Sequence, residues 1–172
     1  NILSQSETYT ISRVYTDTSI IANFEELSSN TKVWDFSGYT TEVNTTKSGF
    51  TENYDGLTIA IANNGADSDH DKITTAGVYW RGGAASGESV RYIAFTPEKD
   101  GTLTASGKMK TSGGRWGFST SKDVGTLKAD GSSSTSTSES TVTIQCTAGT
   151  TYYIINKSKA ATINNISYTP SE

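Results

Sequence analysis

Residues 90–105 read Val90-Arg91-Tyr92-Ile93-Ala94-Phe95-Thr96-Pro97-Glu98-Lys99-Asp100-Gly101-Thr102-Leu103-Thr104-Ala105. In the first part Arg91, Ile93 and Phe95 alternate with Val90, Tyr92 and Ala94. In the last part Leu103 alternates with Thr102 and Thr104. Side chains on an extended strand point to opposite faces in turn, so an apolar residue at every second position predicts a β-strand with one buried face. Between the two runs, Asp100-Gly101 is a turn signal of the hairpin type.

The same period recurs along most of the chain. Thr8–Tyr15 reads as a strand, and Lys32–Phe36 as another with Trp34 and Phe36 on one face. Leu57, Ile59 and Ile61 alternate with Thr58 and Ala60 before Asn63-Asn64-Gly65 ends the run. Val78–Arg81, Lys108–Lys110, Arg115–Ser119, Thr141–Cys146, Thr151–Asn156 and Asn165–Tyr168 follow. About ten short strands with turn residues between them predict a sandwich or barrel. The one helix candidate is Ser19–Leu27, where Ile20, Phe24 and Leu27 share a helical face and Ser19 can cap it. Strands do not alternate with helices, which argues against a parallel α/β sheet. Ser132–Ser140 is low-complexity and reads as an exposed loop or a polar edge strand. The expected fold is all-β: a single antiparallel β-sandwich, jelly-roll-like, over residues 31–172, with residues 1–30 as an N-terminal extension packed on it.

Composition narrows the function. A chain of 172 residues suits one domain and is long enough to bury a core without disulfides. Ser and Thr make up roughly 30% of it, well above ordinary usage. Lys plus Arg is 14 and Asp plus Glu is 18, a net charge of −4. That balance, with no basic block, argues against nucleic acid, whose binding rests on phosphate neutralisation. One Cys excludes a disulfide framework and a multi-cysteine zinc site, and one His leaves little for His-dependent catalysis. No apolar run approaches the length of a membrane span, so membrane insertion is not expected. The chain opens Asn1-Ile2-Leu3-Ser4-Gln5, without a basic stretch and apolar stretch of the secretory kind. Few Lys and many Ser, Thr, Asn and Tyr favour an extracellular or cell-surface bacterial domain whose leader has been removed. Cys146 is in phase with Val142 and Ile144 and reads as a small buried apolar group.

From Val33 to Thr169 a set of features occurs in order. Trp34-Asp35-Phe36 comes first, then Asp55-Gly56-Leu57-Thr58-Ile59, then the Gly82-Gly83 loop. Arg91-Tyr92-Ile93-Ala94-Phe95, Gly101-Thr102-Leu103-Thr104 and Asn164-Asn165-Ile166-Ser167-Tyr168 complete it. This order resembles β-sandwich carbohydrate-binding modules of gut and rumen bacteria. Modules of this kind accompany pectate lyases and occur in cell-surface starch-adherence proteins. The resemblance implies non-catalytic polysaccharide binding within a larger multidomain protein. Pectin-binding members use several Lys side chains against galacturonate carboxylates, but this chain does not align to a full Lys set, so no such residues are carried over.

The candidate site is read from residue types that suit sugars. Pyranose C–H faces stack on aromatic rings, and hydroxyls pair with Asn, Asp, Arg or backbone groups. Trp80 ends a strand and enters a small-residue loop, so it is a candidate platform, with a core Trp as the alternative. Tyr79 points the other way if the strand is regular, so one of the two stacks on sugar. Arg81 is a candidate for sugar hydroxyls or a surface ion pair. Trp116 shares a face with Phe118, which favours the core, while Arg115 shares the other face with Gly117, where a ligand can approach closely. Trp80, Arg81, Tyr79, Trp116 and Arg115 form the candidate ligand set, and Trp34 is assigned to the core.

Asp67-Ser68-Asp69-His70-Asp71 resembles the start of a calcium loop, but Lys72 and Val78 stand where such a loop needs Gly and Glu. A solvated acidic turn with an exposed His70 is the expectation, with no cofactor and structural calcium as the lesser alternative. No marked pair of acids suits a glycosidase, and no Gly-x-Ser-x-Gly elbow is present. Lys108 and Lys110 share a strand face and suit either an acidic polymer or protection of an edge strand. Lys157 and Lys159 make a second small basic spot. The expected ligand is a neutral α-glucan such as starch, because a net charge of −4 repels galacturonan unless a local basic patch exists. Pectin is the close rival and a β-glucan the third. A structural or adhesive β-domain without a glycan site and a small glycan-active enzyme are the rival classes. A monomer is expected.

Overall fold

The computed structural model describes residues 30–39, 43–44, 49–62 and 70–171. The expected strand at 8–15, the helix at 19–27 and the packing of the extension lie outside the described residues. Among the described residues there are thirteen strands and a single turn of 3₁₀ helix, Val124–Thr126. The strands are β1 Lys32–Trp34, β2 Val43–Asn44, β3 Phe50–Tyr54, β4 Leu57–Ile61, β5 Lys72–Thr74, β6 Gly77–Trp80 and β7 Tyr92–Phe95. Then come β8 Gly101–Met109, β9 Arg115–Ser119, β10 Ser133–Ser134, β11 Ser140–Cys146, β12 Tyr152–Lys157 and β13 Ala161–Pro170.

They form two antiparallel sheets. Sheet A runs β11-β8-β13-β6-β5-β2, and β1 also pairs with β13. Sheet B runs β10-β9-β12-β7-β4-β3. The fold is an all-β sandwich, and the period-two pattern explains it. Leu57, Ile59 and Ile61 of β4, Ile93 of β7 and Ile154 of β12 bury one face of sheet B. Val78 and Trp80 of β6, Leu103 and Ala105 of β8, and Ile163 and Ile166 of β13 bury the facing side of sheet A. All of these belong to one cluster between the sheets.

Lys108–Lys110 is not a separate strand. β8 runs unbroken from Gly101 to Met109, with buried and half-buried residues alternating through Gly107. The polar serine run contributes β10, an edge strand paired with β9 (Ser133↔Gly117, Ser134↔Trp116). Cys146 is buried as expected, and burial pushes its thiol up to about 11.

The two Asp-Gly pairs do different work. Asp55 and Gly56 take φ of 46° and 88° between β3 and β4. Positive φ at both central residues makes the turn whose twist suits a two-residue hairpin. Gly101, by contrast, lies inside β8, where Cys146 and Pro170 are its partners. A Cβ there would stand 2.4 Å from the Thr169 carbonyl oxygen and 2.7 Å from Cε2 of Tyr168. Gly101 permits close packing rather than a turn.

Candidate functional site

Alternation along β6 decides which aromatic is available. Val78 and Trp80 point into the core, so Tyr79 faces outward from sheet A, half-buried. The register then builds a row across that outer face. Lys72 of β5 pairs with Tyr79, Tyr79 with Thr162 of β13, and Thr162 with Lys108 of β8. Lys110 follows on the same side. The ammonium groups of Lys72 and Lys110 each lie 5.7 Å from the Tyr79 ring centroid, and Lys110 Nζ donates to the Tyr79 hydroxyl at 3.4 Å. Together with Thr74 and Thr162 these groups line a shallow groove of about 390 Å³. It offers one aromatic ring, two hydroxyls and a set of cations, held on strands of a packed sheet.

Trp80 does not form a platform. It is 0% exposed, and its indole Nε1 donates to the carbonyl oxygen of Ala60 at 3.2 Å, linking sheet A to β4 of sheet B. A ring with no exposed face cannot stack on a sugar, so the core alternative holds for Trp80. Trp116 is corrected in the same way: it is 0% exposed and shares the core with Phe118. Trp34 is in the core, as its phase with Phe36 predicts, and its Nε1 donates to the Asp55 carbonyl oxygen at 3.0 Å.

The two arginines sit apart from Tyr79. Arg115 is on the outer face of sheet B, opposite Lys157 in register. Its Nη1 donates to the Lys128 carbonyl oxygen at 3.0 Å and to Ser133 Oγ at 2.7 Å, which ties β9 to the loop before β10. Arg81 is half-buried just past β6, and its backbone N–H donates to Asp71 Oδ1 at 2.8 Å. The five residues of the candidate set therefore divide among the core, the two outer faces and a loop. Tyr79 alone lies on the basic groove.

Asp71 is not part of a solvated acidic turn. It is 0% exposed and accepts from the backbone N–H of Ala62 at 2.8 Å, that of Arg81 at 2.8 Å and Arg91 Nε at 2.7 Å. A buried carboxylate persists only when paired and hydrogen-bonded in this way. His70 beside it is half-buried rather than exposed. Asp67 and Asp69 lie outside the described residues.

Sequence alone puts Lys108 and Lys110 on one strand face as a candidate for an acidic polymer, but it leaves Lys72 apart from them. Lys72 falls in an acidic run, and its partnership with Tyr79 depends on register. Alternation sets Tyr79 opposite Trp80, and the burial of Trp80 is what selects Tyr79.

No protein-family model matches the chain, and no curated protein matches it. Among solved structures, one from the Ruminococcus flavefaciens cellulosome, reported as reflecting an expansion in glycan recognition, is 18% identical. The match covers 83% of this chain and 95% of that one, at a TM-score of 0.35. The C-terminal CBM6 of LamC, a marine laminarinase from Zobellia galactanivorans, is 15% identical over 81% of this chain and 99% of its own, at 0.32. A CBM35 from Paenibacillus barcinonensis is 14% identical over 76% and 99%, at 0.33. Bacterial carbohydrate-binding modules are thus among the structures to which the chain has a partial likeness.

Proposed function

We propose that this chain is a non-catalytic carbohydrate-binding domain that holds an acidic polysaccharide, of the galacturonan kind, on the outer face of sheet A. The observation that carries the reading is the Tyr79 ring with the Lys72 and Lys110 ammonium groups each 5.7 Å from its centroid, and with Lys108 in the same cross-strand row. A pyranose ring lies with its C–H face on the tyrosine. Carboxylates borne along the polymer then meet ammonium groups on either side, while Thr74 and Thr162 meet hydroxyls. Each exposed lysine–carboxylate contact contributes about 0.2–1 kcal/mol. Affinity therefore comes from several such contacts along one chain, and from repeated engagement when the domain belongs to a larger protein.

The neutral α-glucan reading leaned on Trp80 as a platform, and burial of Trp80 removes that support. The repulsion expected from a net charge of −4 is answered by the local patch at Lys72, Lys108 and Lys110. A binding rather than catalytic role also suits Cys146, whose thiol at about 11 stays protonated at neutral pH. A polysaccharide ligand fits a domain that works outside the cell.

Affinity electrophoresis and calorimetry against homogalacturonan and amylopectin test this reading. Retention by homogalacturonan is expected. Tyr79→Ala should weaken it about tenfold, equivalent to about 1.4 kcal/mol, and Lys108→Ala or Lys110→Ala about threefold each. Retention by amylopectin alone would overturn the acidic-ligand reading. Unaltered mobility in every polysaccharide gel would favour an adhesive domain, and release of reducing ends or unsaturated products would show an enzyme.

A further inference from the structure

Among the described residues, three large apolar side chains are exposed: Val33, Phe50 at 37% and Val90 at 66%. Two of them, Phe50 and Val90, line the same groove of about 570 Å³, which lies where β3 and β4 of sheet B meet the segment before β7, away from Tyr79. Single exposed apolar residues are ordinary, whereas two converging on one concavity mark a contact surface. Tyr92 lines the groove as well, beside Glu88 and Lys122. The Lys122 ammonium lies 4.3 Å from the Tyr92 ring centroid and 5.7 Å from that of Tyr153, and the two rings meet edge to face at 5.7 Å. A donor is thereby fixed at the groove wall.

The groove is also built to keep its shape. One buried carboxylate, Asp71, holds both sides of it. On one side it accepts from the N–H of Ala62, just past β4. On the other it accepts from Arg91 Nε. The backbone of Arg91 is bound to Ser89, whose Oγ donates to the Arg91 carbonyl oxygen at 2.7 Å and accepts from the Arg91 N–H at 3.2 Å. The Ser89 N–H in turn donates to the Lys122 carbonyl oxygen at 2.8 Å. A chain of hydrogen bonds from a fully buried charge thus fixes Ala62, Ser89 and Lys122 relative to one another. Preformed grooves with apolar walls and a few placed polar groups are what small ligands require.

The charge of the groove selects the ligand. Glu88 supplies one acceptor carboxylate and Lys122 one donor ammonium, so the two charges cancel. An anionic polymer gains nothing from such a lining, and a purely apolar guest leaves both charges unused. We propose that this groove is a second carbohydrate subsite, for a neutral hexopyranose. The C–H face of the sugar rests on Phe50 and Val90, and its hydroxyls donate to Glu88 and accept from Lys122. Given the acidic-ligand reading of the Tyr79 groove, the domain then carries two chemically distinct sites, one on each sheet, and joins a neutral glycan to an acidic one.

Titration of the ¹⁵N-labelled chain with maltotetraose and with cellotetraose, to about 20 mM each, tests this at the weak affinity a small sugar contact gives. The amides of Phe50, Ala62, Val90 and Lys122 are expected to shift with at least one of the two sugars, while those of Lys72, Tyr79 and Lys108 stay in place. The shifts should persist in about 0.5 M NaCl, because no net charge is engaged. Phe50→Ala should weaken the binding at least fivefold. Lys122→Gln, an exposed-rim change that keeps the stem, should weaken it about threefold. Absence of shifts with both sugars, shifts confined to the Tyr79 face, or groove shifts indifferent to both substitutions would overturn the proposal. Homogalacturonan binding is measured separately through Tyr79→Ala, so the two sites fail independently.

Discussion

Tyr39 and Tyr168 each place a hydrogen-bonded phenol in the core cluster. The Tyr39 hydroxyl donates to Glu52 Oε2 at 2.6 Å, and that of Tyr168 to the Lys99 carbonyl oxygen at 2.7 Å. Burial pushes both phenols above their ordinary value, and the Glu52 carboxylate pushes Tyr39 further. A raised folded-state value means that the neutral phenol stabilises the fold fully below about pH 10, where the unfolded side chain titrates, and that this contribution is lost as pH rises above it. The denaturation midpoint should therefore fall between about pH 9 and pH 11.5, and Tyr39→Phe should reduce that fall. An equal fall in the variant would remove Tyr39 from the account. At the same scale, Trp80 and Tyr79 show what one residue of offset does. The two are neighbours in sequence, yet one links the sheets from inside while the other lies among lysines on the surface.

At the scale of elements, the Asp-Gly pairs are the sharper case. Asp100-Gly101 reads as a turn, because Asp-Gly between alternating runs is a strong hairpin signal. Only Asp55-Gly56 is one, with both residues at positive φ and nothing nearer to a Cβ on Gly56 than the flexible Lys32 ammonium at 3.7 Å. Gly101 is a packing glycine under β13. Gly56→Asn should therefore cost little, since Asn tolerates that backbone conformation. Gly101→Ala should cost about 1–3 kcal/mol through overpacking against a neighbouring strand. Urea denaturation of the two variants checks the order, and a larger loss in Gly56→Asn would contradict it. The strands themselves were legible, because period-two burial is a local property of the chain. The length of β8 was not: Gly107 interrupts the apolar pattern, and its room is needed only because the Thr162 carbonyl oxygen lies 2.3 Å from where its Cβ would be.

Across the whole molecule, charge is sorted along β8. Glu98, Lys99 and Asp100, with one net negative charge, precede its start, while Lys108 lies near its end and Lys110 just past it. The backbone N–H of Lys110 reaches the Ala160 carbonyl oxygen, Gly114 packs beside Lys159, and Arg115 pairs with Lys157. Lys72, Lys108, Lys110, Arg115, Lys157 and Lys159 thus gather toward one end of the sandwich. At physiological salt, exposed charges are screened beyond about 8 Å, so a bound polymer responds to this end rather than to the net charge of −4. Retention by homogalacturonan should then fall at least tenfold between about 0.05 M and 0.5 M NaCl, with the midpoint of unfolding little changed. Retention that ignores salt would place the binding elsewhere than on the lysines.

The sequence by itself determined the all-β class, the buried faces of most strands, and the interior places of Trp34 and Cys146. It could do so because alternation is written in consecutive residues. It also confined Tyr79 and Trp80 to opposite faces. Tertiary structure decided which of them was outside. It also decided that Lys72, Tyr79, Thr162 and Lys108 stand in one row, and that Asp71 is a buried tie rather than a turn residue. Those facts depend on strand order and register, which pair residues up to 85 positions apart in the chain. Such pairing is set by the fit of two whole sheets around a shared core, and no local pattern encodes it.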